Sequence, residues 1–314
     1  MAYGLTTGLL SQIWKAVRQL NPSRPVGEAN RLFSLSIVVN NPDELEIVHR
    51  FLMGTSPSDE DMHLANRVLR RHVLPLQESE RKELVKSDIV LAASTIDLDD
   101  LRLGEKLFFF DMKKTEHDAK AIIECEASSE LRLALGRHLP VFRDEVARRT
   151  IRDVSMENAV FVVTTALGDV IPVPILPLIG IAEAASDTVV LTANQVRMLF
   201  ILGAIYGAEV GYGSQWREIS SIVGAGFGWR ALARELVSKI PFGGGLIPKG
   251  AIAYAGTMAV GEGLIFYFTT GRKMTAAEAS QSFKDGYSKA VDSVRSLVQK
   301  FRPEGNPPNG GNQV

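Results

Sequence analysis

The residues with the types and spacing to do chemistry begin with the glycines of "GGGLIPKG" (Gly243 to Gly250), which set a lysine behind a triple glycine. A phosphate-binding loop needs G-x-x-x-x-G-K-[ST]. Its backbone N–H groups cradle the phosphates, its Lys reaches the outer ones, and its hydroxyl holds Mg²⁺. Here the spacing differs, Pro248 precedes Lys249, and Gly250 stands where the hydroxyl is needed. "GAGFGWR" (Gly224 to Arg230) mimics a dinucleotide fingerprint, but its third glycine comes one residue early and no strand precedes it. Both stretches read as turns between helices.

Other reactive side chains form no recognised constellation. His49, His63, His72, His117 and His138 are scattered through charged helical stretches, without H-E-x-x-H spacing for a metal. No G-x-S-x-G elbow occurs. "DLDDL" (Asp97 to Leu101) has the charge to hold a cation and reads as a solvated loop. Cys125 sits between acidic neighbours, which raise a thiol pKa rather than activate it. The expectation is a protein with no catalytic residues, no cofactor and no metal.

Charge and cysteine content narrow the classes further. Net charge is −1, with Lys and Arg interleaved among Asp and Glu, so no basic face for nucleic acid is foreseen. A single cysteine excludes an internal disulfide framework and fits a reducing cytoplasm. The first residues lack the basic-then-apolar pattern of a secretory leader, so secretion is not expected.

The elements that must position these residues fall into two materials. Charged residues crowd Glu28 to Arg152, whereas 17 of the 27 glycines fall between Ile151 and Gly271. In the first part "RLFSLSIVV" (Arg31 to Val39), "SDIVLAAST" (Ser87 to Thr95) and "KLFFFDM" (Lys106 to Met112) read as buried strands, and "KAIIECE" (Lys120 to Glu126) as a weaker fourth. Helical patterns lie at Asp43 to Met53, Asp59 to His72 and Ser79 to Lys86. The alternation implies a small, mostly parallel sheet covered on both faces.

That order resembles a GTPase-like nucleotide-binding domain. The first strand is followed by "NNPDELEIVHRFLMG", with no glycine in the turn and no Lys-Ser or Lys-Thr. Asp43, Glu44 and Glu46 suit a helix N-terminus but repel the phosphate it would otherwise attract. The Asn-Lys-x-Asp base-reading signature is also missing. A degenerate domain without nucleotide chemistry is therefore expected.

From Leu131 onward the periodicity is helical, with Pro140 breaking the pattern into two helices. Three apolar stretches follow: Ala159 to Ala182, Thr188 to Gly211, and Lys239 to Gly271. Each is long enough to cross a membrane and each carries a charge or strongly polar group near its middle. They span the bilayer at the cost of those charges, or pack on one another with Asp169, Asp187, Arg197, Arg230, Arg234 and Lys249 paired inside, or sit partly in a leaflet. The small residues of "AYAGTMAVGEG" (Ala253 to Gly263) permit close helix approach in both settings.

"LTANQVRMLFILGAIYG" and the run from Gly224 to Gly271 closely resemble the bacterial family catalogued as domain of unknown function 697. The resemblance covers roughly Arg143 to Gly271. It rests on Asn194-Gln195, Tyr206-Gly207, Gly228-Trp229-Arg230, Ile247-Pro248-Lys249 and Tyr254-Ala255-Gly256-Thr257. It implies a membrane-associated helical part behind an Era-like GTPase domain, here without the phosphate loop.

Leu5, Leu9, Ile13, Trp14, Val17 and Leu20 share one helical face near the start, as in a membrane-surface helix or an arm docking on a neighbouring apolar domain. A final amphipathic helix is expected behind a Thr275–Glu278 capping box.

The overall expectation is an α+β chain: an N-terminal helix (1–24), a degenerate GTPase-like α/β domain (30–128), an apolar glycine-rich all-α domain (129–300) and a disordered tail (301–314). Asn194, Gln195, Arg230, Lys249 and Tyr254 are the polar residues expected to fix the helical domain internally. The functional expectation is a non-catalytic attachment or assembly module, cytoplasmic and associated with the inner membrane. Its partner would be the membrane surface, a protein or a second copy. The alternatives are a soluble helical scaffold and a remnant GTP-responsive switch.

Overall fold

A computed structural model describes residues 7–111, 131–167, 186–223 and 245–301. The fold is α+β, with a four-stranded parallel sheet in the N-terminal part and a helical C-terminal region. Two compact units divide the chain. One comprises residues 22–150 and 200–214, the other residues 1–21, 151–199 and 215–314.

The α/β unit holds α2 (Ser23–Ala29), β1 (Leu35–Val39), α3 (Pro42–Met53), α4 (Asp59–Val68), β2 (Leu69–Val73), α5 (Glu78–Lys86), β3 (Ile89–Ala93), β4 (Leu107–Phe110) and α6 (Arg132–His138). Its sheet runs β2-β1-β3-β4, with Leu35 opposite Leu69 and Ile89, and Val90 opposite Leu107. β1 and β3 are buried at every residue, so both faces of the centre are covered. Val38, Val90 and Ala92 pack with Leu84 of α5 and with Leu98 and Leu103 of the following loop.

The helices start where the side chains can cap them. Asn41 Oδ1 accepts the Glu44 N–H at the head of α3, and Ser58 and Asp61 exchange bonds at the head of α4.

One expected element is corrected. The helix read from Asp59 to His72 stops at Val68, and β2 begins at the next residue. No Gly, Asn or Pro marks the change. Leu69 simply turns extended (φ −80°, ψ 133°) and enters the parallel ladder with β1. The weaker fourth strand expected at 120–126 lies outside the described residues.

The helical unit contains α1 (Thr7–Val17), most of α7 (Pro140–Leu167) and α8 (Asp187–Tyr206), a helical stretch at 216–223, α9 (Leu246–Thr270) and α10 (Ala276–Phe301). Pro140 opens α7, where its missing N–H leaves no bond unmade. α9 is the central helix, and its glycines let neighbours come close. A Cβ at Gly261 would lie 2.5 Å from Ile151 Cγ1 of α7, and one at Gly250 would lie 2.7 Å from Val294 Cγ1 of α10 and 2.9 Å from Val163 Cγ2 of α7. α7 and α10 both run antiparallel to α9. Phe283, Val294 and Val298 form the buried stripe of α10, and the Thr275–Glu278 box caps it. α1 turns Ile13, Ala16 and Val17 into the core and stacks Trp14 on Trp216 at 4.9 Å.

α8 and α9 are each long and apolar enough to cross a membrane. The most apolar window of α8 is 78% buried and that of α9 is 50% buried. The idea that Asp187 and Lys249 pair inside the unit is corrected: both are exposed. Arg197 does pair, with Glu157 of α7. Asp169, Arg230 and Arg234 lie outside the described residues.

Candidate functional site

Two places concentrate polar groups, one in each unit. The first is the carboxyl edge of the sheet. Strand order reverses between β1 and β3, and open parallel sheets bind ligands at that switch point. Asn40 follows β1 and Thr95 lies just past β3. Asn40 Nδ2 donates to Thr95 Oγ1 at 2.9 Å and to both oxygens of Glu44, at 3.0 and 3.2 Å. The Asn40 backbone N–H donates to Glu44 Oε2 at 2.9 Å. The chain's own carboxylate therefore takes the donors that a phosphate would use at this turn. Asp43 beside it adds a second negative charge.

The second place lies at the seam of α7, α8 and α9. Asn194 Nδ2 donates to Asn158 Oδ1 at 2.8 Å, and Asn158 Nδ2 donates to Thr257 Oγ1 at 2.7 Å. The Thr257 hydroxyl donates in turn to the Ala253 carbonyl at 2.9 Å, and Gln195 Nε2 approaches Thr257 Oγ1 at 3.4 Å. Asn158, Asn194 and Thr257 are fully buried. Bonds of one direction thus run from α8 through α7 to the backbone of α9. Asn194 Oδ1 and the buried Ser155 Oγ have no hydrogen-bond partner among the described residues.

Of the residues expected to fix the helical part, Asn194 and Gln195 converge at this node. Tyr254 lies one turn earlier on α9 and packs in an apolar cluster with Ala159, Val163, Ala251 and Val294. Burial pushes its phenol above the usual range. Lys249 is exposed in the first turn of α9, away from the node, and Arg230 lies outside the described residues. Asn158 is not among the residues the sequence singles out, and Thr257 enters there only as the last residue of the Tyr254-Ala255-Gly256-Thr257 motif. The available signal was an amide inside the apolar stretch of α7, three residues after Ser155.

Tyr206-Gly207 also has a physical role. Gly207 takes φ +74° as α8 ends, and a Cβ there would lie 2.7 Å from the Arg137 guanidinium. Arg137 in turn pairs with Glu60 of α4.

No family model, no curated protein and no solved structure matches this chain. The resemblance to domain of unknown function 697 therefore stands on its motif residues alone.

The node consists of amides and hydroxyls, with no group that exchanges protons near neutral pH. Its chemistry is to hold register between helices whose remaining surfaces are interchangeable hydrocarbon, as a buried Asn does in a coiled-coil seam. Among the described residues no three His, Cys, Asp or Glu side chains converge in a metal-holding group.

Proposed function

We propose that this protein is a non-catalytic attachment module that works at the cytoplasmic face of a membrane. The observation that carries its non-catalytic half is the Glu44 carboxylate on Asn40 at the sheet's switch point. An incoming triphosphate would have to displace that carboxylate and then face Asp43 and Glu44 with no loop lysine to offset them. Attachment is supported by the two helices of membrane length.

Attachment to the surface fits better than spanning. α10 covers α9 and carries exposed Lys284, Lys289, Asp292 and Arg295, which would have to enter hydrocarbon alongside it. The deep burial of α8 favours a second reading, a soluble helical scaffold whose partner is another protein.

The test is sedimentation of the purified full chain with lipid vesicles, alongside thermal melts with GTP and Mg²⁺. The proposal expects co-sedimentation and an unchanged melting temperature at millimolar nucleotide. A chain that stays monodisperse and ignores vesicles makes it a soluble scaffold, and a nucleotide-dependent rise in melting temperature overturns the non-catalytic reading.

A further inference from the structure

Three chain segments bring aromatic and basic side chains together on the helical unit. Trp216 is 54% exposed although stacked on Trp14. A contiguous exposed aromatic patch marks an interaction surface. Lys15 is exposed on α1 beside Trp14, Arg18 is exposed just past the end of α1, and Arg217 is exposed next to Trp216. The Glu218 carboxylate pushes the Tyr267 phenol above its usual range, which sets this helical stretch beside the last turns of α9. There Phe266, Tyr267 and Phe268 are partly exposed, and the Arg272 guanidinium lies 4.2 Å over the Phe266 ring. Glu278 neutralises Arg272, while Lys273 beside it is exposed.

We infer that the surface carrying Trp14 and Trp216 docks on an anionic lipid bilayer, its aromatic rings at headgroup level and Lys15, Arg18 and Arg217 on the lipid phosphates. This names the contact surface for the attachment proposed above and rests on that reading. The chemistry favours lipid because it combines both halves of an interfacial anchor. Amphipathic rings suit the boundary between hydrocarbon and water. Basic side chains suit the negative surface potential of an anionic leaflet. The cations here outnumber the carboxylates Glu218 and Glu278.

The experiment uses the full chain with phosphatidylcholine vesicles, alone or mixed with phosphatidylglycerol. The parent should sediment with the mixed vesicles, stay in solution with the zwitterionic ones, and be released by about 0.5 M salt, where screening shortens electrostatic reach to a few ångströms. Trp216→Ala, and Lys15→Glu with Arg18→Glu, should each weaken partitioning by about tenfold or more. Lys15 and Arg18 are exposed, so that variant should melt with the parent. Trp216→Ala gives up the stack on Trp14, and a single cooperative melt lowered by a few degrees shows that its fold is intact.

If the parent binds and folded variants bind equally well, the attachment reading stands and this surface is wrong. Equal binding to both vesicle types removes the anionic recognition. No binding by the parent ends both proposals. Self-association of the parent that Trp216→Ala abolishes makes the face a contact between copies and overturns the lipid assignment.

Discussion

Asn194 and Asn158, 36 residues apart in sequence, meet at 2.8 Å in the fully buried seam between α8 and α7. Asn158 passes the connection to Thr257 of α9, so two amides and a hydroxyl join three helices. Buried polar groups are costly unless paired, and the pairing holds in only one register.

Asn158→Ala should therefore destabilise the chain by about 2–4 kcal/mol, since it strands the Asn194 amide and opens a small cavity. In a cycle with Thr257→Val the two effects should fall short of additivity by about 1 kcal/mol or more. Urea unfolding midpoints at constant slope measure both quantities. Additive losses would show that the node does not act as one network.

Gly261 should tolerate no side chain while Ile151 keeps its own. Its added Cβ would meet Ile151 Cγ1 at 2.5 Å and Cδ1 and Cγ2 at 2.9 Å. Gly261→Ala is expected to cost about 1–3 kcal/mol through overpacking. Combining it with Ile151→Ala should cost less than the sum of the single changes, because the smaller side chain removes all three obstructing atoms. Thermal melts of the four proteins decide this.

His138 should make stability fall in mild acid. It is fully buried, its Nδ1 lies 3.0 Å from the Ala134 carbonyl, and its ring sits edge-on to Phe33. Burial, reinforced by the charges of Arg137 and Arg67, holds its pKa below the ordinary value despite the Ala134 contact. Below pH of about 6.5 the unfolded chain takes up a proton that the native chain refuses. Stability should drop as pH falls from there until the native ring itself protonates. His138→Gln should flatten the part of this slope due to His138, measured as unfolding free energy between about pH 7 and pH 5. His49, lowered mainly by burial and then by Arg71, contributes in the same direction and leaves a residual slope.

Asp61 should add a separate loss at lower pH. Burial alone would raise its pKa, but the Arg143 bond at 2.6 Å and the Ser58 N–H and hydroxyl outweigh it and hold the carboxyl below its ordinary range. Its contribution is present above the unfolded pKa of about 3.9 and disappears as pH falls through the lower native value. Asp61→Asn should cost about 2–3 kcal/mol at neutral pH. Arg143 keeps the Gly136 and Arg137 carbonyls as acceptors, which limits the damage. Acid titrations of parent and variant, followed by circular dichroism, should converge once pH has fallen through that lowered native value.

Elements governed by their nearest neighbours in the chain are legible in the sequence. Buried apolar runs mark β1 and β3, an apolar run of which only Phe110 is buried marks β4, Pro140 separates α6 from α7, and Thr275 with Glu278 starts α10. The missing glycines and lysine after β1 are legible too, because a phosphate loop is a local arrangement of backbone N–H groups. What closes that turn instead is not local, since Asn40 needs Thr95 from the turn after β3 as well as Glu44.

Long-range pairing decided the remainder. Leu69 to Val73 continues a helical pattern and becomes a strand only because Leu35 to Val39 offers it a ladder. Asn194 and Gln195 stand out as polar residues in an apolar helix, but their contacts with Asn158 and Thr257 depend on how closely α7 and α9 approach. Gly250 and Gly261 set that distance. Sequence thus determined where helices and strands tend to form and which side chains are too polar for their surroundings. Only the packed chain decided which of those side chains meet, because burial makes a hydrogen bond obligatory without specifying its partner.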